Sequence, residues 1–162
     1  ITTNKSRGTG GADGSASAAA TDAATGNRRA LTEALLKGVL QSMFTNGAEP
    51  KMAIAGPVNK GVISGFTGRA NTRQNVSADT VSASISVYAS DFGELQIVPS
   101  NRSRDRSLLL VDPEYAKVAY LRNFQTMDIA KIGDADTKMI LAEYGLEMSN
   151  EAAHGIVADL TA

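Results

Sequence analysis

The chain has 162 residues, of which 43% are hydrophobic and 20% are charged, and its 16 basic and 17 acidic side chains leave a formal charge of −1. This balance does not provide the basic field that nucleic-acid-binding domains carry. Cysteine is absent, which excludes disulfide bonds and thiolate zinc sites, and no apolar run approaches the ~20 residues that a membrane-spanning helix needs.

Residues 1–27 form a low-complexity segment rich in glycine, alanine and serine. The segment has too little apolar surface to offset the entropy that is lost on ordering, so we expect it to be flexible or extended at the surface. Its glycines lack the GxGxxG spacing of a dinucleotide-binding loop, and no Lys-Ser or Lys-Thr pair follows them as in a phosphate-binding loop. A linker is the favoured interpretation.

An apolar stripe of helical period predicts a helix over Arg28 to Asn46. The stripe consists of Leu31, Leu35, Leu36, Val39, Leu40, Met43 and Phe44. Glu33 stands four residues before Lys37 on the polar side, which is the favourable order for an ion pair. Gly47 suits the left-handed conformation that ends many helices.

A short apolar strand is predicted over Met52 to Ala55. Pro57 suits the first position of a second helix, and apolar residues at helical spacing continue this helix to Thr67. The polar stretch from Gly68 to Asp79 is predicted to be a loop.

A β-hairpin is predicted around the triplet Asp91-Phe92-Gly93. The alternation over residues 81–90 predicts an apolar face of Val81, Ala83, Ile85, Val87 and Ala89, opposite Ser82, Ser84, Ser86 and Tyr88. Leu95 and Ile97 continue the apolar face after the turn. The triplet has the spelling of the metal-binding motif of protein kinases, but the glycine-rich loop and the HRD motif are missing, so we reject a kinase.

A loop over residues 101–106 carries Arg102, Arg104 and Arg106. One interpretation is a solvated loop with Asp105 as the local partner, which we favour because exposed ion pairs contribute little. The other is a cluster that meets carboxylates of another subunit, or nucleic acid.

The following segment is predicted to contain one buried strand, Leu108 to Val111. Residues 115–122 fit either a strand or a short helix that begins at Pro113, and we prefer the helix. Residues 124–136 are expected to be irregular.

The C-terminal part contains the longest period-two pattern of the chain, from Lys138 to Met148. The pattern places Ile140, Ala142, Tyr144, Leu146 and Met148 on one face of a strand. A turn is predicted over residues 149–151. Residues 154–160 fit both a strand and a helix.

No catalytic or ligand-binding constellation is present in the sequence. His154 is the only histidine, and a lone histidine is more often structural than metal-binding. Asp134 and Asp136 lack the glycine and the distal glutamate of a calcium loop, and there is no nucleophile elbow. We therefore predict that the protein is not an enzyme and has no cofactor or metal.

Six stretches carry a resemblance to a known family. They are Ala30–Lys37 (ALTEALLK), Ala55–Lys60 (AGPVNK), Ser64–Gly68 (SGFTG), Val87–Gly93 (VYASDFG), Asp112–Arg122 (DPEYAKVAYLR) and Asn150–Thr161 (NEAAHGIVADLT). Together they resemble the major capsid proteins of a group of tailed bacteriophages. That family has the Hong Kong phage capsid fold, which encapsulin shells and the floor of herpesvirus capsids share.

The resemblance implies an α+β fold with an axial domain at residues 28–125 and peripheral-domain strands at residues 126–162, after the flexible segment 1–27. It favours a strand for residues 154–160. The family's N-terminal arm, extended loop and long spine helix are expected upstream of Ile1, in agreement with a first residue that is not Met.

The resemblance also implies a function, that of a structural subunit of an icosahedral bacteriophage capsid. Such a subunit self-assembles into pentamers and hexamers, encloses viral DNA without sequence specificity, meets decoration or portal proteins, and resides in the virion after assembly in the cytoplasm of the bacterial host. Arg102, Arg104 and Arg106 are the predicted inter-subunit contacts. The alternatives are a soluble α+β ligand-binding or enzyme-accessory domain, with a cleft at Gly56-Pro57, and an encapsulin-like compartment shell.

Overall fold

The computed structural model describes residues 3–13, 21–66, 86–131 and 133–161. It has a mixed α+β fold that divides into two compact units, one formed by Ile1–Pro113 with Asn150–Ala162 and the other by Glu114–Ser149. The predicted loop at 68–79 and the first half of the predicted strand at 81–90 lie outside the described residues.

The described residues contain two α-helices and eight strands. In chain order these elements are β1 (Asn4–Ser6), α1 (Glu33–Thr45), β2 (Met52–Ala55), α2 (Pro57–Ser64), β3 (Val87–Ser90), β4 (Gly93–Pro99), β5 (Ser107–Val111), β6 (Ala116–Asp128), β7 (Lys138–Met148) and β8 (Gly155–Ala158). Short 3₁₀ turns occur at Thr25–Asn27, Pro113–Tyr115 and Glu151–Ala153.

The first unit is built on a six-stranded sheet with the order β1-β8-β5-β2-β4-β3. The pairs β1/β8 and β2/β4 are parallel, and the other neighbours are antiparallel. The C-terminal strand β8 therefore lies inside this sheet, between β1 and β5. The structure thus returns residues 150–162 to the first unit, whereas the names axial and peripheral domain stay a prediction.

Helix α1 begins five residues later than predicted. Thr32 is its N-cap, and the Thr32 side chain accepts a hydrogen bond from the Leu35 amide at 3.4 Å. Residues before the cap are extended, because Arg29 forms a bridge with Leu160. The predicted end is confirmed, since Gly47 has a φ of 80°.

Helix α1 packs directly on β8. A Cβ atom on Gly155 would lie 2.6 Å from Met43 Sδ and 2.7 Å from Val39 Cγ1. The register places further buried apolar residues on the same face of the sheet as Gly155. They are Ala53, Ala55, Tyr88, Leu95, Ile97, Leu108, Leu110 and Val157. With the buried side of α1 these residues form the core of the first unit.

The hairpin of β3 and β4 has the predicted turn, with Gly93 at a φ of 123°, but the predicted orientation of β3 is wrong. Tyr88 is buried, whereas Val87 is exposed. The Tyr88 hydroxyl donates a hydrogen bond to Glu33 Oε1 at 2.8 Å. Because this contact satisfies the hydroxyl, the large ring can lie in the core, and the smaller apolar side chains of β3 face outward.

The second half of the chain is more extended than predicted. The predicted helix that begins at Pro113 is wrong, because only the 3₁₀ turn Pro113–Tyr115 precedes β6. The irregular segment is wrong up to Asp128, because β6 continues to this residue by pairing with β7. The strand predicted over 138–148 is confirmed as β7, and the strand interpretation of residues 154–160 is confirmed by β8.

The N-terminal segment, which the sequence predicts to be flexible or extended at the surface, makes specific contacts in its described part. Asn4 is buried, and its Nδ2 donates hydrogen bonds to the carbonyl oxygens of Ala152 and His154. Its Oδ1 accepts hydrogen bonds from Ser42 Oγ at 2.9 Å and Asn46 Nδ2 at 2.7 Å. A fully satisfied buried amide fixes β1 against α1 and the C-terminal residues.

A first prediction tests the contact between α1 and β8. Gly155→Ala should lower the free energy of unfolding by about 1–3 kcal/mol, because the added methyl group overlaps Met43 and Val39. Gly38→Ala is the control. Gly38 is an exposed position inside α1 with no atom near the added methyl group, so this change should stabilise the protein by up to about 1 kcal/mol. Chemical denaturation of the full-length protein measures both, and equal effects would contradict the proposed packing.

A second prediction concerns pH. His154 is fully buried, and neither ring nitrogen has a hydrogen-bond partner among the described residues. Burial lowers the pKa of His154, and the nearby Asp112 carboxylate only partly opposes this. The unfolded chain therefore binds the proton more readily, so stability is full above about pH 6.5 and falls as the pH decreases towards the folded pKa.

The measurement is the melting temperature between pH 4.5 and 8 for the wild type and for His154→Gln. No other histidine is present, so the variant should show a smaller loss of stability below pH 6.5. Identical pH profiles would refute the role of the buried imidazole.

Candidate functional site

The second unit is an antiparallel ribbon of β6 and β7, paired from Ala116 opposite Met148 to Asp128 opposite Lys138. The register shifts between Tyr120 and Arg122 and again between Arg122 and Gln125. These two bulges accommodate the two residues by which β6, with 13 residues, exceeds β7, with 11. Bulges increase the twist of a strand pair and bend it.

One face of the ribbon is apolar. Its residues are identified from the register, since residues opposite each other in register share a face. We call it the ribbon apolar face, and it consists of Val118, Tyr120, Ile140, Tyr144, Leu146 and Met148. All six side chains are exposed; Leu146 is 72% and Ile140 71% accessible. The rings of Tyr120 and Tyr144 lie 5.7 Å apart, and Phe124 lies 6.4 Å from Tyr120.

The opposite face is polar where the ribbon begins. Lys117 lies opposite Glu147 in register, and Arg122 Nε forms an ion pair with Glu143 at 3.2 Å. Farther along, this face carries Met127 opposite Met139. The first part of the ribbon is thus amphipathic, as expected for a strand pair with one covered side.

The ribbon apolar face is exposed within the described residues. A two-stranded ribbon alone is marginally stable in water, and it needs a third strand or a packed helix for independent stability. Contiguous exposed apolar surface marks a site of interaction with other protein surfaces. The ribbon apolar face is therefore the leading candidate for a functional surface.

The arginine loop, residues 101–106, is the second candidate surface. Arg104 and Arg106 both form ion pairs with Asp22, the latter at 3.3 Å. Partial burial would raise the pKa of Asp22, but the hydrogen bonds from Arg106 and Arg104 outweigh it and hold the pKa below its usual value. The structure thus brings two of the three predicted arginines together around one carboxylate.

Asp105 has a different role from the one expected. Its Oδ1 accepts a hydrogen bond from the Val58 amide at 3.3 Å, and its carbonyl oxygen accepts one from Asn59 Nδ2 at 2.7 Å. Asp105 thus holds the first turn of α2, while Asp22 is the partner of the arginines. The backbone amide of Arg102 donates to Ser100 Oγ at 3.3 Å. A contact of these arginines with another subunit stays a prediction.

The described part of the chain contains no cluster of three or more His, Asp or Glu side chains that could hold a metal ion. Of the Asp134 and Asp136 pair, Asp136 forms an ion pair with Lys131 at 2.6 Å. None of the helices within the described ranges is long and apolar enough to cross a membrane.

Sequence reasoning missed Asp159 as a functional candidate. This residue is fully buried and has a φ of 60°, which is unusual for a residue other than glycine. Its carboxylate accepts hydrogen bonds from the amides of Gly8 and Ala23. A single acid inside the apolar run from Ile156 to Leu160 was the available signal.

Comparisons with known proteins give a family and one distant structural similarity. A family model described as "SU10 major capsid protein" matches residues 1–161. No curated protein sequence matches the chain. The chain also matches a chain in the crystal structure of a virus-like particle from Pyrococcus furiosus, with a TM-score of 0.40, 9% identity and coverage of 80% of this chain and 54% of that chain. The chain thus spans about half the length of that protein.

Proposed function

The chain belongs to the SU10 major capsid protein family, and we propose that it acts as a structural subunit of an icosahedral bacteriophage capsid, assembling with copies of itself around viral DNA. The family match over residues 1–161 is the observation that carries this proposal. A shell subunit works through surfaces that become buried rather than through turnover, and the exposed ribbon apolar face is a surface that needs a cover.

The proposed fold is that of the Hong Kong phage capsid proteins, which the six similar stretches favour. In this proposal the first unit is the axial domain and the ribbon of β6 and β7 belongs to the peripheral domain. The boundaries therefore differ from the sequence-based ones at 28–125 and 126–162, because β8 pairs with β5 in the sheet of the first unit.

The ribbon apolar face has a specific place in this proposal. A subunit must remain soluble before it assembles, so a large apolar face requires a cover within the same protein. The long spine helix that the resemblance implies is the proposed cover. A helix packed along the ribbon would supply the additional layer that two strands need for stability.

Assembly in this proposal depends on many modest contacts. Closed symmetry repeats each interface around pentamers and hexamers, so a single contact can be near or below the ~1,600 Å² of a standard interface. The proposed location is the virion, after assembly in the host cytoplasm, with decoration or portal proteins as further partners. No step requires a catalytic residue or a cofactor.

Two alternatives make different predictions. A soluble α+β ligand-binding or accessory domain would stay monomeric, and a ligand would raise its melting temperature. An encapsulin-like compartment would form shells that contain a cargo protein instead of DNA. Electron micrographs and nucleic-acid analysis of particles from the full-length protein distinguish these cases.

A third prediction tests the burial of the ribbon apolar face in the assembled protein. Leu146→Glu should reduce the yield of particles from the full-length protein at least tenfold, because it places a charge in an apolar surface that becomes buried. Glu147→Gln, at the neighbouring residue on the polar face, should leave the yield within twofold of wild type. Particle counts in negative-stain micrographs and sedimentation measure the yield. Equal yields for both variants would contradict burial of the ribbon apolar face.

A further inference from the structure

The buried Asp159 carboxylate gathers a separate part of the chain around itself. Its Oδ1 accepts a hydrogen bond from the Ala23 amide at 2.8 Å, and its Oδ2 accepts one from the Gly8 amide at 3.1 Å. Arg7 Nη1 adds an ion pair at 3.4 Å. A buried carboxylate with several donors is firmly held, because losing the donors would leave a buried charge without compensation.

These contacts hold in place a segment that we call the N-terminal strap, residues 3–13 and 21–31. A Cβ atom on Gly11 would overlap Asp159 Oδ2, and one on Gly8 would lie 2.7 Å from the Asn27 carbonyl oxygen. The glycines of the strap therefore permit close approach to the end of β8, in addition to lowering the apolar content of the segment.

The end of β8 also holds the arginine loop. The Leu160 amide donates a hydrogen bond to the Arg106 carbonyl oxygen at 3.0 Å. Asp159 and Leu160, which are adjacent, thus fix Ala23 on one side and Arg106 on the other. Asp22 precedes Ala23, and this arrangement places its carboxylate on Arg104 and Arg106.

The contacts of Asp159 and those of Asp22 differ in how easily their partners can be replaced. Asp159 is fully buried, whereas the side chains of Arg104 and Arg106 are 62% and 43% exposed. The Asp22 side chain is 26% exposed, but both arginines that it pairs with can be reached from solvent. Because ion pairs of exposed side chains are weak, a carboxylate from outside can replace Asp22 on the two arginines. Each copy of this chain carries 17 acidic residues, so a neighbouring copy has carboxylates to offer.

We propose that the N-terminal strap is an intramolecular shield of the arginine loop. Seated by Asp159, it keeps Asp22 on Arg104 and Arg106 in the unassembled subunit, and the two arginines exchange Asp22 for carboxylates of a second copy on assembly. The inference rests on the proposed capsid function and adds to it a regulated contact and its partner chemistry.

The test is the assembly rate of the full-length protein by light scattering at low and high salt. Asp22→Asn should accelerate assembly at least threefold at low salt, because the arginines are unshielded, and 1 M salt should remove the difference. The acceleration should disappear when Arg104→Gln and Arg106→Gln are added. Glu49→Gln is the matched control, because Glu49 is exposed and lies outside both the strap and the arginine loop, so this change should leave the rate unchanged.

A second measurement tests the seating of the strap. Asp159→Asn should increase proteolytic cleavage within residues 3–31 and accelerate assembly as Asp22→Asn does, whereas Asp22→Asn should leave the cleavage unchanged. Particles that form equally fast from wild type and Asp22→Asn would overturn the shield but not the capsid function. A complete lack of particles from the wild type would overturn the capsid function, and the shield with it.

Discussion

The position of β8 inside the six-stranded sheet is the constraint on which the first unit depends. This strand pairs with β1 on one side and β5 on the other, and α1 packs on it through the gap at Gly155. The last residues of the chain thus connect the N-terminal segment, the helix and the central strands. Strand pairs between residues so far apart in sequence close large loops, which costs entropy and slows the formation of the complete sheet.

The ends of this strand organise polar contacts of two kinds. Asn4, with four hydrogen bonds, locks β1 to α1 and to the residues before β8, while Asp159 locks the N-terminal strap after β8. Buried polar groups with satisfied partners specify one arrangement, because any alternative leaves them unpaired in an apolar environment. By contrast, Arg104 and Arg106, which pair with Asp22, have exposed side chains, so these ion pairs constrain the chain less strongly.

The ribbon differs from the first unit, because its apolar face is exposed and no described residue of the second unit covers it. A contiguous exposed apolar face of this kind is a surface suited to contacts with other protein. The two bulges of β6 shape this face by twisting the ribbon. The amphipathic pattern of the two strands therefore gives the ribbon a surface for protein contacts, and such a role does not need a catalytic site.

The elements that can be predicted from the amino-acid sequence are those whose periodicity is strong and local: α1 after its cap, β2, the turn at Gly93, and the long strand β7 with its apolar face. The family can be recognised as well, through short stretches distributed along the chain. The orientation of β3 depends on tertiary contacts, since the Tyr88 hydroxyl needs Glu33 from a distant helix. The tertiary structure likewise decided that residues 116–128 are a strand, because their pairing with β7 outweighs a weak helical spacing. The partners of Asp22 and Asp159 could not be read from the sequence, because they come from residues more than 80 positions away, and no local pattern records such contacts.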